Sequence, residues 1–161
     1  MGGASRRPRV AGYLDTLGAM ASFAAEVVVT IFAVLALIHF YWALGGRSGK
    51  LVAVPEVSGR PAFVPSAVST LVVAVGLSAS AFLVAAAAGL VGPPAPHPWV
   101  TWLAFVLVLA LLARAIGDFR LVGFFKRIRG TQFARLDSVV YAPLCMVLAI
   151  AVFYVALAHR A

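Results

Sequence analysis

The stretch VTWLAFVLVLALL, residues 100–112, decides the fold class of this chain because it is almost entirely apolar and carries no charge. Together with its neighbours from Trp99 to Gly117 it approaches the roughly 20 apolar residues that a helix needs to cross a bilayer. The whole chain has the same character, with 63% hydrophobic and 11% charged residues among 161. Soluble domains are about half apolar and a quarter charged. The sequence therefore predicts a membrane protein.

Three further segments resemble this one in length and composition. We predict transmembrane helices over Ala21–Leu44, Pro65–Val91, Trp99–Gly117 and Ser138–Ala158. Short loops between such helices favour antiparallel neighbours. The predicted fold class is all-α, an integral membrane four-helix bundle with up-down topology. Residues 1–20 are predicted to form a basic N-terminal tail, and residues 21–161 a single transmembrane domain.

The net charge of +8 is a weaker indication of nucleic-acid binding here than in a soluble protein. Basic residues at the ends of membrane helices also set the topology and contact anionic lipid. Loops 45–64 and 118–137, which share one side, together carry more Lys and Arg than the termini and the proline-rich loop on the other side. This count predicts that both loops are cytoplasmic, in a multi-pass protein of the bacterial cytoplasmic membrane. The arginines of the tail argue for the opposite orientation. Cys145 is the single cysteine, so the chain can form no internal disulfide, and we predict no metal and no cofactor.

Polar residues converge at one end of the predicted bundle. In an up-down arrangement the end of the first helix, the end of the third and the start of the fourth share one membrane face. Ionisable residues inside membrane segments are costly and often functional. The candidate polar pocket at this face comprises His39, Trp42, Glu56, Arg114, Asp118, Asp137 and Tyr141.

Each of these residues also has a purely structural interpretation. Arg114 and Asp118 stand four residues apart, which predicts an ion pair on one helix face, either structural or part of a site. The alternative is that Asp118 is held by Arg120. Asp137 precedes an apolar run, as an N-cap does. Tyr141 is expected to meet Asp137 or Arg114, or to belong to the interfacial aromatic belt. For His39 a structural hydrogen bond is favoured over catalysis.

The segment FRLVGFFKRIRG, residues 119–130, mixes phenylalanine with basic residues. This mixture is typical of a segment in the membrane interface, with rings in the acyl boundary and cations among anionic headgroups. The cations predicted to contact anionic lipid are Arg120, Lys126, Arg127 and Arg129. The alternative is a plain topology anchor.

Five separated motifs resemble the signature of one family. They are HFYWALGG (39–46), VPE (54–56), PAFVP (61–65), ARAIGDFRLVGFFKR (113–127) and FARLDSVVYAPLC (133–145). The family is an uncharacterised group of short bacterial four-helix integral membrane proteins, catalogued as a domain of unknown function. The resemblance implies a four-helix membrane protein and no particular activity. Its motifs fall on the same polar face.

The leading functional hypothesis is a small membrane protein whose polar pocket binds, and could act on, an amphipathic lipid, polyprenyl or quinone-like molecule. In it Arg114 would hold an anionic or carbonyl group, Asp118 would orient Arg114, and His39 or Tyr141 would exchange protons or hydrogen bonds. The alternatives are an accessory subunit of a larger membrane complex and an oligomeric transporter or channel. Motifs for nucleophilic catalysis or nucleotide binding are absent from the sequence, which leaves enzymatic activity open. The expected partners are membrane lipids, a second copy of the chain or another membrane protein, and not nucleic acid.

Overall fold

The computed structural model describes residues 7–57, 60–92 and 97–159, and this part of the chain forms four long helices and a short β-hairpin. The helices are α1 (Arg7–Ala43), α2 (Ala67–Ala87), α3 (Pro98–Ile116) and α4 (Gln132–Ala158). The strands β1 (Glu56–Val57) and β2 (Arg60–Pro61) pair antiparallel. All four helices include a span long and apolar enough to cross a membrane. The predicted all-α, four-helix membrane fold is confirmed.

The number and order of the helices agree with the prediction, but the residues at which two of them begin do not. α1 begins at Arg7, well before Ala21, and α4 begins at Gln132 instead of Ser138. The apolar pattern marks the part of a helix that lies in lipid, whereas a helix continues beyond the lipid wherever the backbone allows it. Residues 1–6 of the predicted tail and residues 93–96 of the proline-rich connector lie outside the described part of the chain.

The core is built from small and β-branched side chains, which let helices approach closely in lipid. One cluster of buried residues joins all four helices, and its members include Ala25, Val28, Phe32, Val84, Ala87, Val100, Ala104, Leu148, Ala149 and Val152. α1 packs most extensively on α2, and α3 on α4, while contacts between α1 and α4 join the two pairs.

Two tyrosines fix the relative placement of α1 and α4. The Tyr154 hydroxyl donates to the carbonyl of Leu17 at 3.1 Å near one end of the bundle. The Tyr141 hydroxyl donates to the carbonyl of Val52, just beyond α1, at 3.5 Å near the other end. The end of α1 and the beginning of α4 therefore lie at the same end of the bundle, as the up-down topology predicts.

The outer surface of the helices is apolar. Large exposed side chains occur on every helix and include Phe23, Leu37, Val72, Phe82, Leu109 and Ile150. In water, contiguous apolar surface of this extent would cause association. In a bilayer it is covered by acyl chains, so the surface supports a multi-pass membrane protein.

Candidate functional site

A buried charge cluster of Arg114, Lys126 and Asp137 joins α3, the following loop and α4. Asp137 is fully buried, and its Oδ1 accepts a hydrogen bond from Arg114 Nη2 at 2.8 Å. Its Oδ2 accepts from Lys126 Nζ at 3.0 Å and from the backbone N–H of Gly123 at 2.7 Å. Lys126 is only 2% exposed and also donates to Gly123 O at 2.9 Å and to Ser138 Oγ at 2.8 Å. The carboxylate and the ammonium are therefore both fully engaged.

The cluster contains two cations and one anion. Arg114 keeps 36% of its side chain exposed, while its Nη1 is buried and has no hydrogen-bond partner among the described residues. Removing one member of a buried ion pair leaves an uncompensated charge, which is strongly destabilising. The charge cluster therefore holds the loop between α3 and α4 onto the end of the bundle.

The predicted ion pair between Arg114 and Asp118 is wrong. α3 ends at Ile116, so Asp118 lies beyond the helix and the four-residue spacing no longer brings the two side chains together. Asp118 Oδ1 instead accepts hydrogen bonds from the backbone N–H groups of Arg120 (2.9 Å), Leu121 (2.7 Å) and Val122 (3.0 Å). The N–H of Val122 contributes most to lowering the pKa of the Asp118 carboxyl below its usual value, despite some desolvation. Asp118 therefore caps the loop and does not orient Arg114.

Two glycines allow this loop to close tightly on the end of α3. Gly117 and Gly123 have φ angles of 91° and 86°, a region that favours glycine. A Cβ at Gly117 would collide with the carbonyl of Val122, and a Cβ at Gly123 would collide with the carbonyl of Ile116. The backbone N–H of Phe124 then donates to the carbonyl of Ala115 at 2.8 Å.

The N-cap predicted at Asp137 is also wrong, because α4 begins before it. Thr131 is the N-cap, and its side chain accepts from the backbone N–H of Ala134 at 3.0 Å. Asp137 opens a π-helical turn, Asp137–Tyr141, within α4. The N–H of Ala142 donates to the carbonyl of Asp137, five residues earlier, and Pro143, which follows, has no N–H to donate. Asp137 is thus an interior helix residue aimed at the loop.

The basic residues of the loop have two different environments. The side chains of Arg120, Arg127 and Arg129 are exposed. The prediction that Lys126 lies among lipid headgroups is wrong, because its ammonium is buried against Asp137. Phe119 and Phe125 are 57% and 62% exposed, and their ring centroids lie 6.1 Å apart. The exposed part of the loop keeps the mixture of rings and cations expected of an interfacial segment.

A cavity of about 250 Å³ lies between the end of α1, residues 50–54 and 63–65, and the start of α2. Its polar lining comes from His39, Lys50, Ser69 and Thr70, and its apolar lining includes Trp42, Phe63 and Val73. A second recess of about 370 Å³ adjoins it, shares Lys50 and Phe63 with it, and adds Arg47. We call the first of these the α1–α2 cavity.

The aromatic wall of the α1–α2 cavity is held by hydrogen bonds to the backbone. His39 Nδ1 lies 2.8 Å from the carbonyl of Leu35, and Trp42 Nε1 donates to the carbonyl of Ser48 at 2.8 Å. The two rings meet edge to face with centroids 5.0 Å apart. His39 is within about 6 Å of the end of α1, given a rise of 1.5 Å per residue. The cavity therefore lies near the membrane interface.

The candidate residues from the sequence fall into two groups at one end of the bundle. His39 and Trp42 line the α1–α2 cavity, whereas Arg114 and Asp137 belong to the charge cluster. Tyr141 lies between the groups, with its hydroxyl facing Val52 and its ring 6.0 Å from that of Phe133. Its hydroxyl makes no hydrogen bond to Asp137 or Arg114.

Glu56 lies on the β-hairpin, where it pairs with Pro61, and it is absent from the lining of the α1–α2 cavity. Sequence reasoning missed Lys50, Ser69 and Thr70 as lining residues. Lys50 was considered only as a charge that orients the protein in the membrane. The available signal for Ser69 and Thr70 was that two hydroxyl residues occur in the first turn of an apolar helix. Within residues 7–57, 60–92 and 97–159, no three His, Cys, Asp or Glu side chains come together as metal ligands.

Four apolar helices with one polar end define a small multi-pass membrane protein. The family model described as "Protein of unknown function (DUF3995)" matches residues 32–152, most of the chain, and the chain belongs to that family. The matched range includes both the α1–α2 cavity and the charge cluster. No curated protein and no solved structure matches the chain. The family resemblance inferred from the motifs is thereby confirmed.

Proposed function

We propose that this protein binds the polar head of an amphipathic molecule, a lipid, polyprenyl or quinone-like compound, in the α1–α2 cavity. The cavity itself is the observation that carries the proposal. Small-molecule sites are concave and mostly apolar with a few polar groups, and the α1–α2 cavity has this composition.

The position of the cavity between a basic loop and the apolar face of α2 favours an amphipathic ligand over a soluble one. Lys50 offers a cation on the loop side, and Val73 offers an apolar wall on α2. Val73 is itself 46% exposed, and Val72, the residue before it, is exposed on the outer face of α2, where acyl chains are expected. A head group in the cavity would therefore keep its tail in the bilayer.

The apolar core beyond the cavity favours a binding protein over a transporter or channel. Its buried cluster consists of Ala, Val, Leu and Phe side chains in the described residues, which offer no polar path across the bilayer. An oligomeric channel would need a lining from elsewhere.

The ligand contacts assigned here differ from those expected from the sequence. Arg114 is held by Asp137, so its role is to fix the loop that closes this end of the bundle. His39, Trp42 and Lys50 are the residues we assign to the ligand.

The test is mass spectrometry of small molecules that co-purify from native membranes. Val73→Trp places an indole where Val73 lines the cavity and should expel the bound molecule. Val72→Trp is the matched control, because Val72 is the neighbouring residue on α2, is exposed as Val73 is, and is not part of the lining. We expect one molecule to be retained by wild type and Val72→Trp and lost from Val73→Trp.

Equal lipid content in all three proteins would contradict the proposal. If a fixed membrane protein partner then co-purified with all three, the accessory-subunit hypothesis would take its place.

The basic loop supplies a second lipid contact in this proposal. Arg120, Arg127 and Arg129 would contact anionic headgroups while Phe119 and Phe125 enter the acyl boundary. The charge count supports a cytoplasmic position for loops 45–64 and 118–137 in a bacterial cytoplasmic membrane. A bilayer with more anionic lipid on that side would favour this orientation.

A further inference from the structure

The hydrogen-bonding groups of the α1–α2 cavity are unevenly distributed between donors and acceptors. The Nδ1 of His39 lies 2.8 Å from the carbonyl of Leu35. Because a carbonyl can only accept, Nδ1 carries the hydrogen, and in an uncharged imidazole with this tautomer Nε2 is an acceptor. Nε2, the ring nitrogen farther from the backbone, makes no hydrogen bond to the described residues.

The other polar groups of the lining have already used their hydrogens. Thr70 Oγ1 donates to the carbonyl of Ser66 at 2.8 Å, and Ser69 Oγ donates to the same carbonyl at 3.0 Å. The indole N–H of Trp42 donates to Ser48 O. The hydroxyl oxygens of Ser69 and Thr70 can therefore only accept further hydrogen bonds. The indole of Trp42 can neither donate nor accept another.

Lys50 is the exception on the donor side. Its side chain is half-buried in the lining, and its ammonium forms no hydrogen bond or ion pair with the described residues. The α1–α2 cavity thus presents one cationic donor and several acceptors. A ligand that satisfies both must bring a negative charge and a hydrogen of its own.

We propose that the α1–α2 cavity selects a lipid whose anionic phosphodiester head also carries a free hydroxyl, which His39 Nε2 accepts. This inference rests on the proposed function and narrows it. An oxidised quinone has carbonyl acceptors and no hydrogen for His39. A polyprenyl diphosphate has the charge without an alcohol. A phosphoglycerol head group has both.

The experiment uses two lipids with the same charge and acyl chains. Dioleoylphosphatidylglycerol carries free hydroxyls, and dioleoylphosphatidylethanol carries none. The full chain is exposed to an equal mixture of the two, and retained lipid is measured by native mass spectrometry. We expect wild type to favour phosphatidylglycerol about fivefold, the effect of one net hydrogen bond.

Two variants separate the groups involved. His39→Phe keeps an aromatic ring beside Trp42 and removes the acceptor, so the ratio of retained phosphatidylglycerol to retained phosphatidylethanol should fall to about one. Lys50→Met should lower retention of both lipids by the same factor. Glycerol phosphate without acyl chains should displace neither lipid at millimolar concentration.

Equal retention of the two lipids by wild type would overturn the selection by His39 and leave the proposed function standing. Retention of neither lipid above the level of Val73→Trp would contradict the proposed function itself. Displacement by glycerol phosphate would overturn the choice of a lipid and point to a soluble phosphate ester instead.

Discussion

Asp137 is the residue on which the polar end of this protein depends. It is fully buried and accepts hydrogen bonds from Arg114, Lys126 and the backbone of Gly123. Two cations on one carboxylate compensate the cost of burying Asp137 and leave a surplus positive charge on the half-exposed Arg114. The same three contacts join α3, the loop and α4.

Replacing Asp137 by Asn should destabilise the protein by about 3–5 kcal/mol, because Lys126 would remain buried without a counter-charge. Lys126→Met should cost less, since Arg114 and Gly123 still satisfy the carboxylate. The double variant should be more stable than Asp137→Asn. Thermal unfolding in detergent measures all three, with Arg127→Met as the exposed-cation control. Equal unfolding temperatures for Asp137→Asn and wild type would contradict a structural role for the charge cluster.

Asp118 should make the loop sensitive to acid. Its pKa is lowered by the N–H groups of Val122, Leu121 and Arg120. A carboxyl with a folded pKa below its unfolded value stabilises above the unfolded pKa, about 4, and loses this contribution as pH falls through the folded pKa. Amide exchange at 120–122, corrected for intrinsic rates, should show protection that declines below about pH 4.

Two substitutions serve as controls for this effect. Asp118→Asn keeps an acceptor oxygen and should retain part of the protection at every pH, whereas Asp118→Ala should lose it at neutral pH already. Protection in wild type that stays constant from pH 5 to pH 3 would show that the cap does not depend on the charge.

At the scale of elements, the loop after α3 is limited by backbone space. Gly117, Gly123 and Gly130 all have positive φ angles, but only the first two lie against backbone carbonyls. Gly130→Ala should lower the free energy of unfolding by about 1–2 kcal/mol, because alanine is strained at a positive φ angle. Gly117→Ala should cost clearly more, because the new methyl collides with Val122 O. Unfolding temperatures test the order, and equal losses for the two variants would contradict the close approach.

The elements differ in how far the sequence could predict them. The four apolar segments predicted four helices because hydropathy reports directly on lipid contact. The start of α4 was missed because Thr131, Phe133 and Ala134 belong to a turn outside the apolar run. The π turn at Asp137 was not predicted, because Pro143, the nearby signal in the sequence, is ambiguous between a kink and a helix end.

The sequence predicted at which end of the bundle the candidate residues lie, but not which of them contact one another. The up-down topology brings His39, Arg114 and Asp137 to one end of the bundle, and the structure agrees. The division into a cavity and a charge cluster depends on how residues 45–64 and 118–131 fold back onto the helices. Loop conformation of this kind follows from tertiary contacts, such as the Asp118 cap and the Tyr141–Val52 hydrogen bond, which spacing along the chain does not encode.

At the scale of the whole molecule, the proposed orientation makes a labelling prediction. In a Cys145→Ala background, Leu90→Cys reports on the α2–α3 connection and Ala62→Cys on loop 45–64; both positions are exposed. A membrane-impermeant maleimide added to intact cells should label Leu90→Cys and spare Ala62→Cys until the cells are opened. The reverse pattern would contradict cytoplasmic long loops and leave the bundle topology intact.

We claim above all that the α1–α2 cavity holds an amphipathic molecule, and photo-crosslinking can locate that molecule in the protein. A phospholipid with a diazirine near its head group would be incorporated with the full chain into nanodiscs, illuminated, and mapped by peptide mass spectrometry. We predict that the adducts concentrate in residues 35–54 and 61–77 and disappear in Val73→Trp but not in Val72→Trp. Adducts spread over the outer faces of all four helices, and unchanged in Val73→Trp, would contradict the claim.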